Sequence, residues 1–182
     1  MKTQRTIPWL ASMALLLAAC ATGTGGTMQP LPGATPEGDI AAMLAAANEG
    51  EAQQGEAATA KASSADVRSF AQMMNADHTA ALNAARDTFN RAGINPTENN
   101  ISNALRTGSQ TTITNLNTYS GAAFDRTYMQ TQVDLHAWLL TTLDASLIPS
   151  AVTPELRSLL QTQRGAVAMH LDRARAILGG LR

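Results

Sequence analysis

Apolar and alanine residues recur at helical spacing in two long segments of the first half of the chain. The first segment runs from Asp39, the expected N-cap, to about Ala62. A break at Ser63 and Ser64 separates it from the second segment, which ends at Gly93, a residue type typical of the position after a helix. This half of the chain therefore predicts two long helices joined by a tight turn.

The second half of the chain has the same organisation. A third apolar stripe occupies Ala122–Ser146 and is stopped by Pro149. A fourth stripe covers Pro154–Gly180, with Thr153 as N-cap and proline at the first helical position, where its fixed backbone angle favours a helix. These residues predict a second pair of long helices joined by a short turn.

Between the two pairs, residues 93–121 show a much weaker pattern. Asn95-Pro96 and a polar run at residues 98–100 precede a weak helical stretch around Ile113 and Leu116. We expect a long connection with short helical pieces, long enough to travel the roughly 40 Å length of a bundle. The predicted fold is all-α, a ferritin-like four-helix bundle with a long connection between helices two and three, and an up-and-down bundle is the alternative topology.

Composition agrees with an all-helical domain. Aromatic residues are only 4% of the chain, and alanine with unbranched side chains supplies most of the apolar fraction, which favours helix over strand. Without its first 19 residues the chain has about 160 residues, which suits one domain with its own core. We expect a tether at residues 20–38, where Gly, Thr and Pro recur without apolar periodicity, and a folded domain at 39–180.

The amino terminus has the features of a targeting segment. Lys2 and Arg5 precede an apolar stretch, Ile7–Ala19, that is too short to span a bilayer and that ends at Cys20, the only cysteine. Bacterial lipoprotein signals resemble this pattern, and the resemblance implies that residues 1–19 are a signal peptide and that Cys20 is acylated. An ordinary secretory signal with an incidental cysteine is the alternative, although free thiols are avoided in oxidising compartments.

This targeting segment predicts a protein of the cell envelope, lipid-anchored and facing the periplasm. Ala21 after the cysteine gives a weak preference for the outer membrane. Once Lys2 and Arg5 are removed, the chain has 11 basic against 14 acidic residues, without a clustered basic patch. We therefore expect a membrane partner through the anchor and no nucleic acid.

The chain has three histidines, His78, His136 and His170, and each falls on the apolar stripe of a different long helix. At 1.5 Å per residue, Glu51 and His78 lie about 18 and 22 Å from the turn that joins their helices. His136 and His170 lie about 21 and 26 Å from the turn of the second pair. All four side chains are therefore expected near mid-height of the bundle, in either topology.

Imidazole and carboxylate ligands suit a transition metal such as zinc, iron or copper, so we predict a metal site formed by Glu51, His78, His136 and His170. The alternative is a structural polar network, in which each ring bonds a backbone carbonyl or Asp125, Gln132 or Gln163. A di-iron enzyme would need Glu-x-x-His pairs, which the sequence lacks. No nucleophile arrangement or phosphate loop stands out, so we expect no catalytic residues and a binding module in preference to an enzyme.

Several of these segments resemble the bacterial family called domain of unknown function 4142. The resemblance covers about residues 39–178 and is most specific at the Asp-His pair and at the segment before the third-helix histidine. The matching pieces are residues 48–51 (Asn-Glu-Gly-Glu), 70–74 (Phe-Ala-Gln-Met-Met) with Asp77-His78, 120–128 (Ser-Gly-Ala-Ala-Phe-Asp-Arg-Thr-Tyr), His136 and His170. The resemblance implies a ferritin-like fold and an exported protein, some members being described as outer membrane proteins, without an established activity.

Three functions follow as hypotheses from the sequence. The first is a lipid-anchored bundle that binds a transition metal at its Glu/His cluster, with a role in envelope maintenance or stress. The second is a structural or protein-interaction lipoprotein in which the histidines only fix helix register. The third, a metal-dependent oxidoreductase, is disfavoured by the missing Glu-x-x-His pairs.

Overall fold

A computed structural model describes residues 34–181, and these form an all-helical domain. The five long helices are α1 (Glu37–Lys61), α2 (Ala65–Ala92), α3 (Asn100–Leu116), α4 (Gly121–Thr142) and α6 (Pro154–Gly180); a π-helical turn (Leu143–Leu147) and a short helix α5 (Ile148–Ser150) follow α4. The predicted all-α class is confirmed. The predicted signal peptide at residues 1–19, the lipidation site Cys20 and most of the tether lie outside the described residues.

The tight turn between α1 and α2 and the end of α2 lie where the sequence predicts them. The side chain of Ser64 accepts from the amide of Val67 at the start of α2, and Gly93 ends that helix with a left-handed φ of 66°. Between α1 and α2, the carboxylate of Asp125 accepts from the amides of Ser63 at 3.0 Å and Ser64 at 2.8 Å. The start of α4 is thus fixed beside the α1–α2 turn.

The first helix begins at Glu37 and not at the predicted N-cap Asp39. The carboxylate of Glu37 accepts hydrogen bonds from the amides of Val152 and Thr153, at 2.8 and 2.6 Å, just before α6. An acidic group at a helix N-terminus satisfies free amides and interacts favourably with the helix dipole. Glu37 therefore joins the starts of α1 and α6, and the helix extends outward to include it.

The long middle connection differs from the prediction because residues 100–116 form one continuous helix. Asn99 accepts from the amides of Ile101 and Ser102, and Ser102 accepts from the Asn99 amide in return, which makes a complete capping box. The helix lies along α1 and returns the chain to the end of the molecule where α2 begins. A helix, and not an irregular segment, therefore makes this connection.

The end of α4 also differs from the prediction that Pro149 stops this helix. Pro149 does not stop the third stripe, since it lies inside the turn Ile148–Ser150. The preceding residues 143–147 change to π-helical bonding. Proline is tolerated in the first turn of a helix, where its missing amide is not needed. Helical backbone therefore continues to Ser150.

The helix packing leaves α1 enclosed on several sides. It packs most extensively against α2 and α3, while α4 packs against α6 and α6 against α2. Residues 40–44 are all buried in succession, so this helix has no polar face at its start. Among the described residues, no helix combines the length and the apolar character that a membrane span requires.

Candidate metal centre

A polar layer crosses the middle of the bundle between two apolar clusters. One cluster lies towards the start of α1 and includes Ile40, Phe89 and Leu156, and the other lies towards its end and includes Phe70 and Phe124. The buried polar side chains between them come from all five long helices: Asn48, Glu51, Gln54, His78, Ser109, Gln132, His136, Gln163 and His170. Burial of so many polar groups in one layer requires that they bind one another or a ligand.

The three histidines meet in this layer, one each from α2, α4 and α6. The ring centroid of His78 lies 5.8 Å from that of His136 and 5.3 Å from that of His170. The His136 and His170 centroids are 5.5 Å apart, and one nitrogen from each ring lies within 4.8 Å of the other two. Each ring is at least 94% buried, since the most exposed of them, His78, is 6% exposed.

One nitrogen of each ring has a fixed oxygen partner. Nδ1 of His78 lies 2.9 Å from Oδ1 of Asn48, and Nδ1 of His136 lies 2.9 Å from the backbone oxygen of Gln132. Nε2 of His170 lies 3.0 Å from a carboxylate oxygen of Asp77. Because these oxygens only accept, each of these ring nitrogens carries the proton and donates.

The second nitrogen of each ring has no partner. These atoms are Nε2 of His78, Nε2 of His136 and Nδ1 of His170. In a neutral imidazole whose other nitrogen donates, this atom carries a lone pair, which is the form that binds a metal. The described residues therefore bring together three buried ring nitrogens, each of which can donate a lone pair to a metal when its ring is neutral.

Burial and mutual repulsion favour the neutral rings. Burial is the main cause that lowers the pKa of His78 well below its usual value, and the proximity of His136 and His170 adds to it. Burial, with a contribution from His170, lowers the pKa of His136 to about 4, against the opposing hydrogen bond to Gln132. Both rings are therefore neutral at neutral pH, and each keeps one nitrogen without a proton that can act as a ligand.

Glu51 lies in the same layer but contributes no atom to the three-histidine group. It is 1% exposed, and burial raises its pKa to about 8, although a hydrogen bond with Gln132 opposes this. Nε2 of Gln54 lies 3.4 Å from one carboxyl oxygen, and the other oxygen has no partner. Its role as a fourth ligand stays a prediction.

The unpartnered polar atoms are confined to this region. Six buried side-chain atoms in the described part of the chain lack a hydrogen-bond partner: the three histidine nitrogens and Glu51 Oε2, Tyr128 Oη and Gln132 Oε1. Tyr128, Gln132 and His136 lie on successive turns of α4, so they share one face of that helix. Such atoms normally bind an ion or ordered water, so the layer as a whole has the character of a ligand site.

The sequence identified the histidines but not all of their partners. Asn48 and Asp77, which hold His78 and His170, were missed as partners. Of the expected partners, Gln132 bonds the His136 ring through its backbone oxygen. Gln163 bonds the side chain of Asn48 at 3.1 Å instead of a histidine ring. Asp125 binds the α1–α2 turn instead.

The missed partners left only weak traces in the sequence. Asp77 precedes His78 in sequence but bonds His170 on α6, a contact that the pattern of α2 alone does not indicate. Asn48 is a polar residue inside an alanine-rich helical segment, three residues before Glu51. An amide at such a position is disfavoured in a helix interior unless it has a partner, which was the available signal.

The donor atoms suit a borderline transition metal. Three neutral imidazoles with oriented second nitrogens are a ligand set found at zinc and copper centres, where a fourth position remains for another ligand. Similar support of each ring by an oxygen acceptor is general at histidine metal sites. The three buried histidines could therefore hold a metal ion.

Comparison with known proteins identifies the family of this chain. The family model described as Domain of unknown function (DUF4142) matches residues 23–177 of the chain. No curated protein and no solved structure matches it significantly. The match includes the segments that carry Glu51 and all three histidines. Because it covers most of the chain, the chain belongs to the domain of unknown function 4142 family.

Proposed function

We propose that this protein is a lipid-anchored envelope protein whose helical bundle binds one transition metal ion through His78, His136 and His170. It acts as a binding module and not as an enzyme. The observation that carries the proposal is the meeting of three buried rings, of which one nitrogen each lies within 4.8 Å of the other two. Each ring also has one nitrogen held by an oxygen and one nitrogen without a partner.

A purely structural polar network explains these features less well. A network selected only to fix helix register would be expected to satisfy its buried atoms, since an unsatisfied buried group costs about 1–3 kcal/mol. Here each ring leaves one nitrogen without a partner at the same place. A metal ion would satisfy all three at once.

The ferritin-like arrangement, the lipid anchor on Cys20 and the outer membrane location belong to the same proposal. Support for the anchor comes from the charged start, the short apolar stretch and the cysteine that follows it. With the anchor in the membrane and a polar tether, the bundle would lie in the periplasm. A metal-binding bundle there suits a role in metal handling or envelope stress.

Elemental analysis of the full-length chain tests metal binding. The protein is purified without a histidine tag, dialysed against a chelator and reloaded separately with zinc, iron or copper. The proposal predicts one tightly held ion per chain for at least one metal. It also predicts loss of that ion when His78, His136 and His170 are all replaced by alanine.

A matched control is available beside the site. Met169 precedes His170 but is 53% exposed, so Met169→Ala should retain the ion. Absence of stoichiometric metal in the wild-type protein would favour the structural lipoprotein. Equal metal content in the triple-histidine variant would place the bound ion elsewhere and contradict the proposed site.

A further inference from the structure

The charge of the polar layer is unusual for a site that takes a divalent ion. The three histidines are neutral ligands, and no carboxylate of the described residues belongs to their group. An ion without an anionic ligand brings its full charge into an interior enclosed by the two apolar clusters. Because the cost of burying a charge rises with the square of that charge, a divalent ion needs a compensating anion nearby.

Two carboxyl groups are buried among the described residues, Asp125 and Glu51. Asp125 is already occupied, since it accepts from the amides of Ser63 and Ser64 and from the Ser63 hydroxyl. Glu51 has no cationic partner, and one of its oxygens bonds to nothing. Burial keeps Glu51 protonated at neutral pH in the metal-free protein, so it supplies a negative charge only when a bound cation displaces that proton. Glu51 is therefore the buried carboxyl group that is free to compensate the charge of a bound ion.

A short chain of contacts connects Glu51 to the histidines. The side chain of Gln132 bonds Glu51, and the backbone oxygen of the same residue accepts from Nδ1 of His136. The groups that face Glu51 are Gln54, Tyr128 and Gln132, and none of them carries a positive charge. Glu51 and the three histidines are all buried in the same polar layer, where water screens a charge less than it does at the surface.

The carboxylate at the other edge of the site is in a different environment. Asp77 bonds His170, but its side chain is 43% exposed. Its charge is therefore partly screened by solvent and compensates a buried ion less effectively. This contrast makes Glu51 the stronger candidate for control of the ion's charge.

We propose that Glu51 is the residue that determines which ion charge the centre accepts, by supplying the counter-charge for a divalent ion held by three neutral imidazoles. Without this carboxyl group, the site would favour a monovalent ion such as Cu⁺, which three neutral imidazoles bind with less charge to bury. The inference rests on the proposed function, because it deepens the description of the same metal site.

Competition titrations with chromophoric chelators test this proposal on the full-length protein. Zn²⁺ serves as the divalent probe, and Cu⁺, kept reduced under anaerobic conditions, serves as the monovalent probe. In Glu51→Gln, the affinity for Zn²⁺ should fall by about 10–100-fold, the usual effect of losing a residue that supports a metal site from outside its ligands. The affinity for Cu⁺ should change by less than about twofold.

Two further variants separate charge from shape. Glu51→Asp keeps the carboxylate and should lose less Zn²⁺ affinity than Glu51→Gln. Glu49→Gln makes the same chemical change on the same helix, at a residue that pairs with Arg86 and Arg106 at the surface. This control should leave the affinities for both ions unchanged.

The outcomes separate the charge role of Glu51 from metal binding by the histidines. A selective loss of Zn²⁺ binding in Glu51→Gln supports the charge role. An equal loss for both ions, or a loss for neither, overturns it while metal binding by the histidines stands. If the wild-type protein binds neither ion and holds no iron, the proposed function itself fails.

Discussion

Nδ1 of His78 donates to Oδ1 of Asn48 across the α1–α2 interface at 2.9 Å. The orientation of the Asn48 amide is fixed, because its Nδ2 donates to the backbone oxygen of Leu44 at 2.8 Å and to Oε1 of Gln163 at 3.1 Å. His78 must therefore carry its proton on Nδ1 and leave Nε2 free as a ligand. One asparagine sets the tautomer of a ring that the metal would bind.

Replacement of Asn48 by leucine should weaken metal binding and the fold together. Loss of the acceptor leaves the buried Nδ1 of His78 without a partner and its ring without a fixed orientation. We expect metal affinity to fall by about 10–100-fold and the free energy of unfolding of the metal-free protein to fall by about 1–3 kcal/mol. Competition titration and urea denaturation measure these two effects.

Asn75→Leu is the matched control, since Asn75 makes a similar bond between the same two helices, to the backbone oxygen of Ala52 at 2.9 Å. Because the amide of Asn75 bonds the backbone of Ala52 and not a histidine, this variant should lose stability and keep its metal affinity. Equal affinities in Asn48→Leu and the wild-type protein would contradict the role assigned to Asn48.

Stability of the metal-free protein should fall as the pH drops below 6.5. The folded-state pKa of His136, about 4, and that of His78 lie below the ordinary value of 6.5. The unfolded chain therefore binds more protons in this range, and the neutral rings contribute stability that is fully present above pH 6.5 and lost towards the folded-state values. For His136 alone this loss is roughly 3 kcal/mol between pH 6.5 and pH 4.

Glu51 should make the metal-free protein less stable as the pH rises, which is the opposite of the trend caused by the histidines. Its folded-state pKa, about 8, lies above the ordinary 4.5, so its contribution is full below pH 4.5 and is lost as the pH rises to 8. The two trends oppose each other between pH 4.5 and 6.5, and only the Glu51 trend remains above pH 6.5. Urea denaturation from pH 4 to 8.5 should therefore find maximal stability near pH 6.5.

Glu51→Gln should abolish the decline in stability between pH 6.5 and 8, because the amide does not ionise. The acidic decline should remain in this variant. A wild-type free energy of unfolding that is constant from pH 6.5 to 8.5 would contradict the burial of an uncompensated Glu51.

Gly55 should not tolerate even a methyl group. A Cβ at this position would lie 2.7 Å from the backbone oxygen of Ala71 and 2.7 Å from the backbone nitrogen of Asn75, both on α2. Since backbone atoms cannot move aside as a flexible side chain can, we expect Gly55→Ala to destabilise the fold by about 1–3 kcal/mol. Thermal denaturation of the metal-free protein measures this change.

Gly165→Ala is the matched control, because a Cβ there meets nothing within 4 Å in the middle of α6. Alanine should stabilise that helix by about 0.5–1 kcal/mol through the lower entropy of the unfolded chain. Opposite signs for the two glycines are the expected result. A stabilising effect at Gly55 would show that α1 and α2 do not approach closely there.

Helical periodicity and turn residues were sufficient to predict the long helices that carry the histidines, because those helices bury one clear apolar face. They also placed the three rings at one height, since the rise per residue is fixed. The same approach missed α3 as a continuous helix. Its sequence is rich in Thr, Asn and Ser, which have low helix propensity, and its stability comes from the Asn99–Ser102 capping box and from its packing on α1.

The partners of the site were harder to predict, because they depend on which helices become neighbours. Asp77 and His170 are 93 residues apart in sequence, and their contact follows from the packing of α2 against α6. The stripe on α1 was also uninformative around Asn48, since that helix is enclosed by its neighbours. Tertiary packing, which no single-helix pattern encodes, therefore decided these contacts.

X-ray absorption spectroscopy of the zinc-loaded full-length protein tests the central claim most directly. The account predicts one ion per chain, with three imidazole nitrogens at about 2.0–2.1 Å and the multiple scattering that imidazole rings give. The imidazole shell should disappear in the triple alanine variant of His78, His136 and His170. Fewer than three imidazole ligands around the bound zinc in the wild-type protein would contradict a three-histidine metal centre.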